Sequence, residues 1–220
     1  MVAAQSLPRS LARMLLVGLT GNVASGKTEV TELLAARGAV IVDADELARE
    51  AVAPGTNALA SIREKWGEDV TTPEGSLDRA ELRARVFSDP EQLEELNQIV
   101  HPEIARLRDE RVAAAREEGV RILVYVAPLL FERRLTEECD RIVLVDAPRE
   151  LRFDRIVRRR GIDEAEALNM IAAQMPAELK RARADYIIEN TGSLDELRKA
   201  VDGVWESLQR DAVRVLAPAS

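Results

Sequence analysis

Gly21-Asn22-Val23-Ala24-Ser25-Gly26-Lys27-Thr28 follows a short apolar run, Met14 to Leu19, and precedes Val30, Leu33 and Leu34 at helical spacing. These residues satisfy the pattern G-x-x-x-x-G-K-[ST], with strand, glycine loop and helix in the order that the pattern needs. No other feature constrains the fold as strongly. The glycines let the backbone turn tightly and aim successive N–H groups inward, and the positive end of the following helix adds its dipole, so the loop is built to hold phosphate oxygens. Gly21, Asn22, Val23, Ala24, Ser25, Gly26, Lys27, Thr28 and Glu29 are therefore the expected ATP-binding residues. Lys27 would reach the β and γ phosphates, and the Thr28 hydroxyl would ligate magnesium (Mg2+).

Four further short, branched-residue runs read as buried parallel strands: Ala39 to Val42, Ile122 to Val126, Ile142 to Val145 and Tyr186 to Ile188. Helical patterns lie between them, including Lys27 to Arg37 stopped by Gly38, and Leu194 to Leu208. Alternation of this kind predicts an α/β fold, a five-stranded parallel sheet between two helical layers, with ligands beyond the carboxyl ends of the strands. The gap from Asp43 to about Arg121 is long, charged and helical in pattern. It predicts an inserted helical lobe over about 54–118, cut by Pro54-Gly55, Gly67, Thr72 to Gly75 and Asp89-Pro90, with Glu91 to Glu118 as its longest helical stretch. Residues 1–13 read as an extension without the features of a secretory signal, 14–210 as the domain, and 211–220 as a tail that frays.

The chain has 220 residues, enough for one well-cored domain. None of its apolar runs approaches the roughly 18 to 20 residues that cross a bilayer, so a soluble protein is expected. A single cysteine, Cys139, leaves no internal disulfide or cysteine zinc cluster and suits the reducing cytoplasm. A net charge of −8 and 3% aromatic residues argue against a nucleic-acid surface. Positive charge is instead concentrated in Arg152, Arg155, Arg158, Arg159 and Arg160, beside Gly161. Arg155 and Arg159 fit either a solvated basic face or a small lid over about 155–165, whose cations cover the γ-phosphoryl group in transfer.

On the acceptor side, Asp43-Ala44-Asp45 stands where the second strand ends, and the carboxyl end of a strand is where such folds collect reactive groups. Asp45 is the candidate base for an attacking hydroxyl; the same spacing also suits an aspartate capping the next helix. Arg49 fits an ion pair four residues along that helix or a clamp on an anionic acceptor. His101 is the only histidine. The third strand ends Tyr125-Val126 with no aspartate for magnesium, which makes Glu132 the nearest acid.

Several motifs in series resemble the bacterial dephospho-CoA kinases, from about Leu15 to Leu208. These are Leu19-Thr20-Gly21 with the loop, Val42 to Asp45 followed by Ala48-Arg49, Leu96 to Pro102, Pro128 to Glu132, and Ala184 to Asn190 with Gly192. The resemblance implies a P-loop NTPase three-layer sandwich. It further implies transfer of the ATP γ-phosphate to the ribose 3′-hydroxyl of dephospho-CoA, giving CoA and ADP, the last step of coenzyme A biosynthesis. It places the base on Asp45, with Lys27 and Arg155 as the other catalytic residues. Acceptor contacts fall on Asp45, Arg49 and His101, and lid charge on Arg155 and Arg159. The implied partner is the small-molecule substrate, with no obligate protein, nucleic acid or membrane. Many members have glycine where this chain has Asn22 and Ala24, and aspartate where it has Val126. A nucleoside or nucleotide kinase on the same fold is the enzymatic rival. A nucleotide-dependent switch is the other, although the sequence lacks the Asn-Lys-x-Asp segment that reads a guanine base.

Overall fold

A computed structural model describes residues 13–86 and 89–216. The extension expected over 1–13, apart from Arg13, and the last four residues of the expected tail lie outside them. All five strands form: β1 (Leu15–Thr20), β2 (Val40–Asp43), β3 (Ile122–Val126), β4 (Arg141–Asp146) and β5 (Tyr186–Glu189), in the spatial order β2-β3-β1-β4-β5. β1 is central. It pairs in parallel with β3 from Leu15 against Ile122 to Leu19 against Val126, and with β4 from Val17 against Arg141 to Thr20 against Leu144. β5 runs parallel to β4. The chain leaves β1 in one direction and later returns to its other side, so the glycine loop after Thr20 sits at a switch point of the sheet.

The chain divides into two compact units. The first runs to Ile41 and resumes at Ala114. Its core is built on alternate strand residues, as strand geometry requires: Leu15, Val17 and Leu19 pack with Val124, Val126, Val143, Val145 and Ile188. Val30 and Leu34 of α1 (Lys27–Ala36) cover that face, together with Leu197, Val201, Leu208 and Ala212 of the last helix. Each valine, leucine or isoleucine among them contributes roughly 1.5–3 kcal/mol when fully buried. The last helix runs Leu194–Leu216 and not to Leu208, so the segment expected as tail from 211 starts as helix. What apolar spacing missed is a polar anchor: buried Asp211 accepts hydrogen bonds from Arg141 Nε and Tyr186 Oη, both at 2.7 Å.

The second unit, Val42–Ala113, holds α2 (Ala44–Glu50), α3 (Asn57–Trp66), α4 (Arg79–Val86) and most of α5 (Pro90–Glu117). Val52, Ala58, Ile62, Trp66, Val70, Leu82 and Val86 form its own core, against which Leu96, Ile99 and Val100 of α5 pack. α5 continues through Pro102, which has no N–H to offer the Gln98 carbonyl.

Candidate active site

The glycine loop joins β1 to α1 as the sequence predicts, and two of its glycines are sterically required. A Cβ on Gly21 would lie 2.4 Å from Val145 O and 2.6 Å from Ser25 Oγ. Gly26 is the N-cap of α1 at φ 94°, a left-handed conformation that favours glycine, and a Cβ there would lie 2.0 Å from Asn190 Nδ2. No side chain caps α1, so helix geometry leaves its first-turn N–H groups for an anion. Lys27 Nζ donates to Gly21 O at 2.7 Å, which folds the ammonium back over the loop, while Thr28 and Glu29 are exposed. An anion-binding N-terminus, a lysine beside it and an exposed hydroxyl fit a triphosphate.

Ala24 is held at φ 58°. A residue with a Cβ adopts the left-handed region at a cost of about 1–2 kcal/mol, so alanine at this position carries strain that glycine would not. The conformation persists because the loop is braced from outside. Asn190 Nδ2 donates to Ser25 O at 2.9 Å, and the Asn190 N–H to Asp146 O at 2.8 Å fixes that residue beyond β4. Arg155 donates to Ala24 O and to Asn190 O, each at 3.1 Å. Residue 23 is held as well: the Val23 N–H donates to Gln174 Oε1 at 2.7 Å.

Arg155 thus braces the loop, a contact that its expected role as a lid and catalytic cation did not include. Burial pulls its guanidinium below the usual arginine range, Arg159 adds to this, and Glu29 opposes it. It follows α6 (Arg149–Asp154) and opens a π-helical turn, Arg155–Arg159, a local widening that recurs at functional sites. Within the basic run the roles divide. Arg152 is buried and donates to Ala147 O at 3.1 Å, Arg158 pairs with Asp154 at 2.6 Å, and Arg159 is exposed. After that turn come α7 (Glu164–Ala172) and α8 (Ala177–Arg181).

In the second unit, Asp43 is the N-cap of α2 and accepts the Asp45 N–H at 2.7 Å. One aspartate therefore caps, and the carboxylate of the other stands exposed in the first turn. Arg49 is also exposed on α2, and His101 is half-buried on α5. Arg49 and Asp45 form no ion pair with each other among the described residues, so the spacing of four produces proximity without a bond.

Glu132 is not poised for a metal. Its carboxylate lies 2.8 Å from Nζ of the fully buried Lys180 and accepts the Met175 N–H at 3.2 Å. Burial alone would raise its pKa, but Lys180 and that N–H outweigh burial and hold the carboxyl below its usual range. Val126, where an aspartate was the family expectation, is buried in the apolar core. Among the described residues no group of three or more His, Cys, Asp or Glu side chains could hold a metal ion.

The family profile described as dephospho-CoA kinase matches residues 15–196. The chain belongs to the dephospho-CoA kinase family. It is 47% identical over 197 residues to the dephospho-CoA kinase of Thermobifida fusca (strain YX), covering 90% of this chain and 98% of that one. With the dephospho-CoA kinase of Corynebacterium jeikeium (strain K411) it shares 44% identity over 89% of this chain and all (100%) of the other. A crystal structure from Thermus thermophilus superposes with a TM-score of 0.74 at 38% identity, covering 89% and 98% of the two chains.

Against this membership the last sequence signature of the dephospho-CoA kinases separates into parts. Asp185 accepts the Ile142 N–H at 2.7 Å and so supports the sheet, and Asn190 supports the loop. Sequence reasoning missed Gln174, Lys180 and Arg181, which bridges Asp146 at 2.7 Å and Glu189 at 2.8 Å. Their only signal was polarity in a short segment just before the final strand. Among the described residues no helix is long and apolar enough to cross a membrane.

Proposed function

We propose that this chain transfers the γ-phosphoryl group of ATP to the ribose 3′-hydroxyl of dephospho-CoA, yielding CoA and ADP in the cytoplasm. The observation that carries the reading is the family match running from the first strand through the start of the last helix. The 3′-oxygen attacks the γ-phosphorus, the bond from that phosphorus to the β–γ bridging oxygen breaks, and the hydroxyl proton passes to Asp45. An exposed carboxylate that does not cap its own helix suits that role. Arg49 and His101 take anionic and polar parts of the acceptor. Residues 21–29 form the site for the ATP phosphates, which they hold through Lys27 and backbone N–H groups other than that of Val23, which Gln174 occupies.

Magnesium, held by the Thr28 hydroxyl and phosphate oxygens, would neutralise charge on the transferring group; a site with few protein ligands is usual for this ion. Arg155 keeps the loop in shape and, with exposed Arg159, supplies the lid charge that meets the developing charge of the transferring group. The domain division at 14–210, with a helical acceptor lobe at about 54–118 and a lid at about 155–165, belongs to the same reading, as does action without nucleic acid, membrane or obligate protein partner.

Purified protein incubated with ATP and dephospho-CoA should release ADP only when the acceptor is present. Parallel incubations with nucleosides and nucleoside monophosphates should release none. Phosphorylation of those acceptors alone would assign the chain to the rival kinases.

A further inference from the structure

We propose that Gln174 is a positioning residue for the triphosphate loop, its carboxamide oxygen holding the Val23 N–H and so fixing the shape in which the loop takes the phosphates of ATP. The inference rests on the reading that this loop holds ATP. Two consecutive loop residues meet two consecutive residues of the α7–α8 connection. The Val23 N–H donates to Gln174 Oε1 at 2.7 Å, and Asn22 Nδ2 donates to Met175 O at 3.3 Å. One bond would permit a pivot; a pair on adjacent residues sets orientation as well as distance.

The connection is itself fixed from behind. The Met175 N–H donates to Glu132 at 3.2 Å, and Glu132 lies 2.8 Å from Lys180, which is 0% exposed. Apolar packing holds the same register, since Val23 and Ala24 lie against the cluster of Ile156, Ala167 and Ile171. The adjacent Ala24 is the loop's strained residue, at φ 58°. Strained backbone persists only where neighbours over-determine it, and Gln174 on residue 23 with Arg155 on the Ala24 carbonyl are those neighbours. Gln174 therefore acts through the loop and does not itself meet the reacting atoms.

Gln174→Met keeps the length of the side chain and removes the acceptor; Gln174→Glu keeps the acceptor. In the full chain, Gln174→Met should speed hydrogen exchange at the Val23 amide. It should weaken ATP binding about 5- to 10-fold, the range expected from one net hydrogen bond, both in direct titration and in KM. KM for dephospho-CoA should stay within about two-fold and Tm close to the parent's, which separates positioning from loss of fold. Gln174→Glu should keep the Val23 amide protected. Gln174→Asn, a methylene too short to reach Val23, gives the same readout if the apolar variant does not fold. Unchanged ATP affinity with a deprotected Val23 amide would overturn the proposal. Tighter ATP binding would also overturn it, because Gln174 would then be competing with a phosphate for that N–H. Direct ATP titration keeps the inference separate from the acceptor assignment: a parent protein that binds ATP without phosphorylating dephospho-CoA defeats the proposed function alone.

Discussion

The phosphate loop and the helix carrying Asp45 are both short segments at the ends of strands, yet they are held in different ways. Loop residues 22 to 25 are tied by Arg155, Gln174, Met175 and Asn190, side chains and carbonyls more than a hundred positions away in the chain. Helix α2 is tied over shorter spans: Asp43 caps its first turn, Leu47 is the residue it buries, Arg79 donates to Ala48 O at 3.3 Å and Arg111 pairs with Glu50 at 3.0 Å, 31 and 61 positions away. Preorganisation matters most where many weak donors must converge on one charged group, because each misplaced N–H loses part of its bond. A single carboxylate that takes one proton needs only reach. The donor half is accordingly a braced frame, and the acceptor half presents exposed side chains on a small helix.

That contrast gives a ranked set of tests. Asp45→Asn should lower kcat by about two to four orders of magnitude, as loss of a general base does, with ATP affinity and Tm unchanged. Turnover within a few-fold of the parent would make α2 as structural as the loop's braces. Lys180→Ala should cost about 3 kcal/mol in denaturant unfolding, because it strands the Glu132 carboxylate beside a buried space. The sign of its pH dependence follows from the depressed Glu132 pKa. A group more acidic in the folded state contributes stability above its unfolded value, about 4.3 for glutamate, and loses it as pH falls through the folded value. The gap between parent and variant should be constant from about pH 6 to 8 and close below about pH 4; a gap unchanged in acid would remove the ion pair from the account.

Asp43→Ala should cost only about 1 kcal/mol, the ordinary loss of an N-cap, and should leave ATP affinity intact in direct titration. A marked loss of ATP binding would mean that the Asp43 cap also supports the donor site. Ala24→Gly should be the mildest change, raising stability by about 0.5–1 kcal/mol through relief of the left-handed strain. Destabilisation by this substitution would show that the Ala24 methyl contributes more packing than the backbone loses in strain.

The sequence made the loop and the strands legible for a physical reason. Each is a local pattern: glycine spacing sets a turn, and a branched apolar run sets a buried strand. α5 was equally readable, since Glu91 to Glu118 differs from the observed Pro90–Glu117 by one residue at each end. Asp43 and Asp45 could not be ranked from spacing, because a cap and a base occupy the same place in a strand-to-helix turn. The cap bond from the Asp45 N–H distinguishes their positions. The bracing contacts of Arg155 are invisible in the sequence because its partners are carbonyls, which no side-chain pattern advertises. The end of the last helix was misplaced because Asp211 is polar yet buried, paired with Arg141 and Tyr186 from two strands. Gln174 and Lys180 escaped notice for the same reason: their partners are remote in sequence, and polar residues leave no periodicity.

The division of the chain also bears on the order in which it is made. The helical unit is one unbroken stretch, Val42–Ala113, so the residues of its own core have all been synthesised when that stretch is complete. The phosphate loop is translated earlier but waits longer, for Arg155, Gln174 and Asn190 lie 131, 151 and 165 positions beyond the loop residues they hold. At about 5–20 residues per second of synthesis, the loop spends roughly seven to thirty seconds without them. The first functional motif to emerge is therefore among the last to take its working shape.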